Sequence, residues 1–186
     1  AHGTLAGQMD IISEAVNSGK INIIADEWTT DWKPEIAQSN MENIITAHGD
    51  NIDAVLCSND GMASGVAAAL EQAGLSGLPL SGQDGDIAAV NRIARGLQTM
   101  TAWKDVRQLG KYAADLTHSI LSGSEITSIA GHTVFEDKDS GIKQNAFPLD
   151  PTSITADNLG LMLDAGWVTK EQMCRGVDAS IIKICG

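Results

Sequence analysis

Residues 53–104 alternate short apolar runs with longer amphipathic ones, and each short run ends abruptly in small and polar residues. One run reads Asp53-Ala-Val-Leu-Cys-Ser-Asn59-Asp60-Gly61 and passes into an alanine-rich amphipathic segment. The next reads Leu78-Pro-Leu-Ser-Gly-Gln-Asp84-Gly-Asp86 and passes into another, and Thr99-Met-Thr-Ala-Trp-Lys104 leads into the longest of all. Strands alternating with helices imply a parallel sheet, because parallel neighbours must be joined by a crossover and the crossover is right-handed. In open α/β sheets of this kind, ligands bind in the crevice outside the carboxyl ends of the strands. Asn59, Asp84 and Lys104 fall at such ends, which makes that edge the expected ligand face.

The flanking chain continues the rhythm. Leu5, Met9, Ile12 and Val16 recur at helical spacing, and Gly19 suits the residue just past the end of that helix. A short strand is expected over 20–25, then a loop carrying Trp28 and Trp32, with Pro34 placed for a first helical turn. The following helix shows Ala37, Met41, Ile44, Ile45 and His48 on one side and stops at Gly49-Asp50-Asn51. Strands are expected at 54–57, 78–81 and 99–103. Between and after them run helices striped by Met62, Val66, Leu70 and Ala73, by Ile87, Val90 and Ile93, and by Val106, Leu109, Ala113, Leu116 and Ile120. Beyond Gly123 the pattern breaks into a strand near 132–136, an irregular polar stretch over 137–153 and a last helix over 156–165.

Composition narrows the partners. With 12 basic and 24 acidic residues among 186, the formal net charge is −12, and no basic stripe of the sort nucleic-acid binders carry is present. Such acidity suits a protein that repels its own copies and binds a neutral small molecule. No run reaches the ~18 apolar residues of a membrane span, and the chain opens without a signal-type segment, which fits a mature or truncated product. Cys57 reads as a buried inert thiol. Cys174 and Cys185 bracket a C-terminal extension; they either stay reduced or, in an oxidising compartment, close a small loop worth ~2–3 kcal/mol.

Catalytic signatures are missing. Neither glycine-rich phosphate fingerprint occurs, and no nucleophile-elbow motif does. His2, His48, His118 and His132 are scattered without metal-ligand spacing, and Asp137-Lys-Asp139-Ser-Gly141 lacks the later glutamate a calcium loop needs. Neither a cofactor nor a metal is expected. The strand-end set is richer. Asn59 donates and accepts, Asp84 accepts and Lys104 donates, a combination matching vicinal hydroxyls, while Trp32 could lay its face against the C–H face of a pyranose ring. Each has a plainer alternative: Asn59 as a turn residue, Asp84 as a cap or turn residue, Lys104 as a solvated lysine, Trp32 and Trp28 as packing. Asp60 and Asp86 read most simply as helix N-caps. Periodicity supports a small-ligand α/β domain and goes no further.

A series of short stretches is more specific. Ala6-Gly-Gln-Met9, Asn17-Ser-Gly-Lys20, Met41-Glu-Asn43, Ile52-Asp-Ala-Val55, Ser58-Asn-Asp60, Gly74-Leu-Ser-Gly77, Ser81-Gly-Gln-Asp84 and Gln98-Thr-Met-Thr101 occur in that order. Together they resemble the periplasmic sugar-binding proteins of bacterial ABC importers, of the ribose/galactose type and nearest the D-xylose-binding ones. The resemblance runs from about Leu5 to Glu171, dense up to Gly123 and thin beyond. It implies a three-layer parallel sheet of the type I fold, here incomplete, in which two α/β lobes close over a sugar. Residues 1–102 would form most of the C-terminal lobe, 103–135 would return to the N-terminal lobe, and 136–186 would come back and extend past the usual end. The same resemblance implies that Trp32 stacks on the sugar and that Asn59, Asp84 and Lys104 bond its hydroxyls. Relative to that family the chain is expected to lack the N-terminal lobe and the first strand of the C-terminal lobe, with the stretch Asn145-Ala-Phe-Pro-Leu-Asp-Pro151 shortened.

The function expected on these grounds is capture of D-xylose or a similar aldose outside the cytoplasm, for delivery to an ABC permease, with no catalysis. The rival readings are a sugar-sensing effector domain of a lactose-repressor-type regulator or of a histidine-kinase sensor system, and an enzyme that merely shares the fold.

Overall fold

The computed structural model describes residues 2–137, 140–180 and 182–186. In chain order the helices are α1 (His2–Asn17), α2 (Pro34–His48), α3 (Asp60–Gln72), α4 (Ile87–Ala94), α5 (Val106–Leu121), α6 (Gly160–Asp164) and α7 (Lys170–Met173). The strands are β1 (Gln83–Asp84), β2 (Met100–Trp103), β3 (Thr133–Glu136), β4 (Lys143–Ala146) and β5 (Thr152–Thr155). The chain divides into two compact units, one made of 1–103 and 153–186 and the other of 104–152.

In the first unit the expected apolar stripes become cores. Ala37 and Met41 of α2 are buried with Met62, Val66 and Leu70 of α3, and Ile52, Cys57 and Leu80 complete that cluster. The two helices approach closely at Gly65, where an added Cβ would lie 2.0 Å from the Pro34 carbonyl oxygen. A second cluster joins Val90 and Ile93 of α4 to Trp103, Ile154, Leu159, Met162, Val168 and Met173.

β1 and β2 run parallel, with Gln83 opposite Ala102 and Asp84 opposite Trp103, and β5 lies on the other side of β2. The strands expected at 54–57 and 78–81 are shorter than their sequence runs. Val55 and Leu80 form a single parallel bridge, in which the Val55 N–H donates to the Pro79 carbonyl and the Ser81 N–H to that of Val55. Beyond it the Ser81 hydroxyl takes over, accepting from the Cys57 N–H at 2.9 Å and donating to the Cys57 carbonyl at 3.1 Å. A side chain thus replaces one rung of the ladder.

Residues 20–25 form no strand. Their apolar content is right, with Ile21 and Ile23 38% and 45% exposed, but a strand exists only by pairing, and no described residue pairs with them. The stretch expected to be irregular contains β4 and the start of β5. The helix expected over 156–165 begins four residues late, as α6: Asn158 folds back, its Oδ1 accepting from the Thr155 N–H at 2.8 Å and its Nδ2 donating to the Ser153 carbonyl at 2.8 Å. That local turn competes with the helix, as short amide side chains commonly do.

Cys174 and Cys185 are joined in a disulfide. The extension they close is fastened to α4 through Asn91, whose Nδ2 donates to the Met173 and Arg175 carbonyls at 2.8 and 2.9 Å. The acidic turn at 137–141 lies partly outside the described residues.

The second unit consists of α5 and an antiparallel hairpin in which Thr133, Val134, Phe135 and Glu136 face Ala146, Asn145, Gln144 and Lys143. Asp105 caps α5, accepting from the Arg107 N–H at 3.0 Å. No residue of α5 is buried, although its apolar stripe is well formed; Val106, Leu109 and Ile120 are exposed, as are Val134 and Phe135 of β3.

Candidate functional site

The end of the 54–57 segment hands the chain to α3 at Asn59. Its Oδ1 accepts from the Met62 N–H at 2.9 Å, so Asn59, and not Asp60, is the N-cap. The cap uses one end of the amide; Nδ2 donates to none of the described residues.

Asp60 corrects the sequence reading. It is 0% exposed, and its carboxylate receives four donors from the neighbouring strand ends. Oδ2 accepts from the backbone N–H groups of Gly85 and Asp86, both at 2.9 Å, and from the Thr101 hydroxyl at 2.7 Å. Oδ1 accepts from Gln98 Nε2 at 2.8 Å. Arg92 completes the cluster, donating from Nη2 to the Asp60 carbonyl at 2.9 Å and from Nε to Gln98 Oε1 at 3.0 Å. A buried carboxylate with four donors is fully satisfied, since two oxygens offer about four lone-pair sites. Backbone had to come close for this: a Cβ at Gly82 would sit 2.0 Å from Asp60 Oδ1.

Asp84 ends β1 with φ 112°, a region that side chains other than glycine rarely occupy. Such conformations persist where surrounding contacts over-determine them. Here Gly85, the next residue, is held on three sides: its N–H by Asp60 and by the Thr101 hydroxyl at 3.1 Å, and its carbonyl by the Trp167 indole N–H at 2.6 Å. Trp103 lies under the same glycine and meets Trp167 edge-on, ring centroids 5.5 Å apart. The Trp103 indole nitrogen is itself buried with no hydrogen-bond partner among the described residues.

Asp86 occupies the N-cap position of α4 but makes no side-chain cap hydrogen bond. Partial desolvation of its carboxyl raises the pKa, and the negative charges of Asp60 and Asp84 add to the rise while Arg92 opposes it. Desolvation likewise lowers the pKa of Arg92, against the pull of Asp60 and Asp86.

Trp32 closes a single 3-10 turn, Thr30–Trp32, immediately before α2. Asp31 and Trp32 both have positive φ, 53° and 59°, and the Trp32 ring is held half in solvent at 37% exposure. Trp28 is more open, at 52%. Lys104 directly follows β2 and is the first residue of the second unit. The structure therefore brings Asn59 and Asp84 together, because the residues that follow them are hydrogen-bonded to each other. Trp32 is placed independently, by the turn ahead of α2. Two cavities, of about 260 and 480 Å³, open elsewhere on the first unit, and neither is lined by Trp32, Asn59 or Asp84. No cluster of metal-ligating side chains occurs among the described residues, and no described helix is long and apolar enough to cross a membrane.

Residues 3–125 match the periplasmic binding protein domain family. The chain belongs to that family. It is 37% identical over 170 residues to the D-xylose-binding periplasmic protein of Haemophilus influenzae, covering 90% of this chain and 49% of that protein. Against the D-xylose-binding periplasmic protein of Escherichia coli it is 46% identical over 121 residues, 64% of this chain and 37% of that one. The crystal structure of an ABC transporter solute-binding protein from Clostridium phytofermentans with bound β-D-glucose superposes with a TM-score of 0.73 at 29% identity, over 90% of this chain and 54% of that one. The fold is thus the type I periplasmic binding protein fold, present in part, and the chain spans about half the length of the curated relatives it matches.

Proposed function

We propose that this chain is part of the extracytoplasmic solute-binding component of an ABC sugar importer, periplasmic or held outside the membrane, which binds D-xylose or a similar aldose monosaccharide and hands it to a membrane permease. The observation that supports this reading is that Asn59 and Asp84 each immediately precede residues hydrogen-bonded to one another, Asp60 to Gly85 and Asp86, within a chain 37–46% identical to D-xylose-binding proteins. Asn59 keeps a free amide donor, Asp84 supplies an acceptor and Trp32 an apolar ring face. Lys104 joins the set by its position after β2. Protein–sugar hydrogen bonds and ring stacking supply the closure energy, and no catalytic step is involved.

Residues 1–102 are assigned to the C-terminal lobe, 103–135 to the segment returning to the N-terminal lobe, and 136–186 to the return and extension. Two features support further chain beside this one: no residue of α5 is buried although its apolar stripe is well formed, and the apolar run at 20–25 pairs with no strand among the described residues. Titration calorimetry of the full-length protein against D-xylose, D-glucose, D-ribose and xylitol tests the reading. Micromolar or tighter binding of an aldose is expected; heat from none of the four would overturn it.

A further inference from the structure

Asp60 is the most heavily bonded buried charge in the first unit, and nothing in its position lets it touch a ligand. It stands one residue after Asn59, and its carboxylate closes on the two amides that follow Asp84. We propose that Asp60 is a positioning residue of the binding site: its buried carboxylate grips the two amides that follow Asp84 and so holds the Asp84 carboxylate in fixed register with the start of α3.

Several observations carry this independently. The Gly85 and Asp86 N–H groups converge on the single oxygen Oδ2, a backbone concavity for an anion filled here by an internal side chain. Asp84 has φ 112°, and the two amides that follow it in the chain, those of Gly85 and Asp86, both donate to Asp60. Thr101 and Gln98, from the neighbouring strand region, complete the carboxylate's shell, so Asp60 links the start of α3 to two strand ends. Arg92 bonds to the Asp60 carbonyl and to Gln98, leaving no member of the cluster free to turn. Gly82 and Gly85 both lack room for a Cβ, against Asp60 and Trp103 respectively, so the backbone is shaped around this arrangement. Sites hold their geometry only when the residues supporting them are themselves locked.

The inference rests on the sugar-binding reading, and its test separates the two. In the full-length protein, Asp60→Asn keeps the shape but replaces one acceptor oxygen with a donor facing donors. D-xylose affinity is expected to fall at least tenfold, whereas in an Asp84→Ala background the same change should cost less than twofold more. Buried Leu70→Ala, on the same helix, serves as a stability control that leaves affinity within twofold. Amide hydrogen exchange reads the positioning directly, with or without sugar: Gly85 and Asp86 should lose at least tenfold protection in Asp60→Asn, while Ile45 in α2 keeps its own. Should Asp60→Asn not fold, Thr101→Val removes one of the four donors and is expected to weaken xylose binding two- to fivefold. Unchanged exchange at Gly85 and Asp86, or affinity losses that multiply in the double mutant, would overturn the assignment. If the wild type binds no sugar yet those two amides lose protection, the sugar reading falls and the brace stands.

Discussion

Gly85→Ala puts the packing beneath Asp84 to a quantitative test. Gly85 sits at φ +77°, where an alanine is strained, and its Cβ would fall 2.3 Å from Trp103 Cδ1 and 2.9 Å from Cγ. Positive φ at a residue with a side chain costs about 1–3 kcal/mol, and overpacking a well-packed core costs a further 1–3 kcal/mol or so. Trp103 has little freedom to yield: it is 8% exposed and stacked edge-on with Trp167, whose indole is tied to the Gly85 carbonyl itself. A loss of about 2–6 kcal/mol is expected, or a fall in melting temperature of roughly 4–24 °C for a chain this size. Gly74→Ala isolates the conformational part, because Gly74 has φ +74° with nothing within 4 Å of its Cβ. Denaturant titration of both variants, followed by tryptophan fluorescence, gives the difference directly. A Gly85→Ala cost no larger than that of Gly74→Ala would refute the collision with Trp103 and the rigid seat it gives Asp84.

Other consequences are as direct. Asp84→Ala in the full-length protein is expected to weaken D-xylose binding at least tenfold by calorimetry, since losing the acceptor for a buried hydroxyl costs about 1.5–3 kcal/mol. Reducing the Cys174–Cys185 bridge, which spans 11 residues, should lower stability by about 3 kcal/mol on the chain-entropy estimate, read as a drop in denaturation midpoint with dithiothreitol. The Arg107 side chain and backbone N–H hold the Asp105 pKa down to about 2 in the folded state. Because the folded value is depressed, the cap's contribution is complete above the unfolded carboxyl range near ~4 and disappears as pH falls through about 2. An NMR titration of the Asp105 carboxyl should show that low midpoint. Burial pushes the Cys57 thiol up to about 12, so the native protein should resist iodoacetamide at pH 8 while the unfolded chain is alkylated at once.

Much of the fold was written in local pattern. The stripes Met62–Val66–Leu70 and Val90–Ile93 are periodic whatever surrounds them, and they are buried as that periodicity requires. Asn59 and Asp84 are candidates on the same local grounds, since a polar residue at the end of an apolar parallel strand sits at the one edge such a sheet offers to a ligand. Three cases fell outside the reach of pattern. Residues 20–25 have the composition of a strand but pair with no strand among the described residues, and pairing is a property of two segments. The amphipathic stripe of α5 announces a face without saying whether this chain covers it. Cys174 and Cys185 are joined in a disulfide, a choice that depends on where the folded extension brings the two residues.

Asp60 marks the boundary most sharply. From its neighbours in sequence it is one of two adjacent side chains able to cap α3, and the choice between Asn59 and Asp60 has no local answer. Its four donors come from residues 85, 86, 98 and 101, at least 25 positions away. Helix and strand periodicity is set by neighbours a few residues apart and so is readable in one dimension. Which buried charge is satisfied, and which backbone it therefore holds, depends on groups that meet only after the sheet has formed.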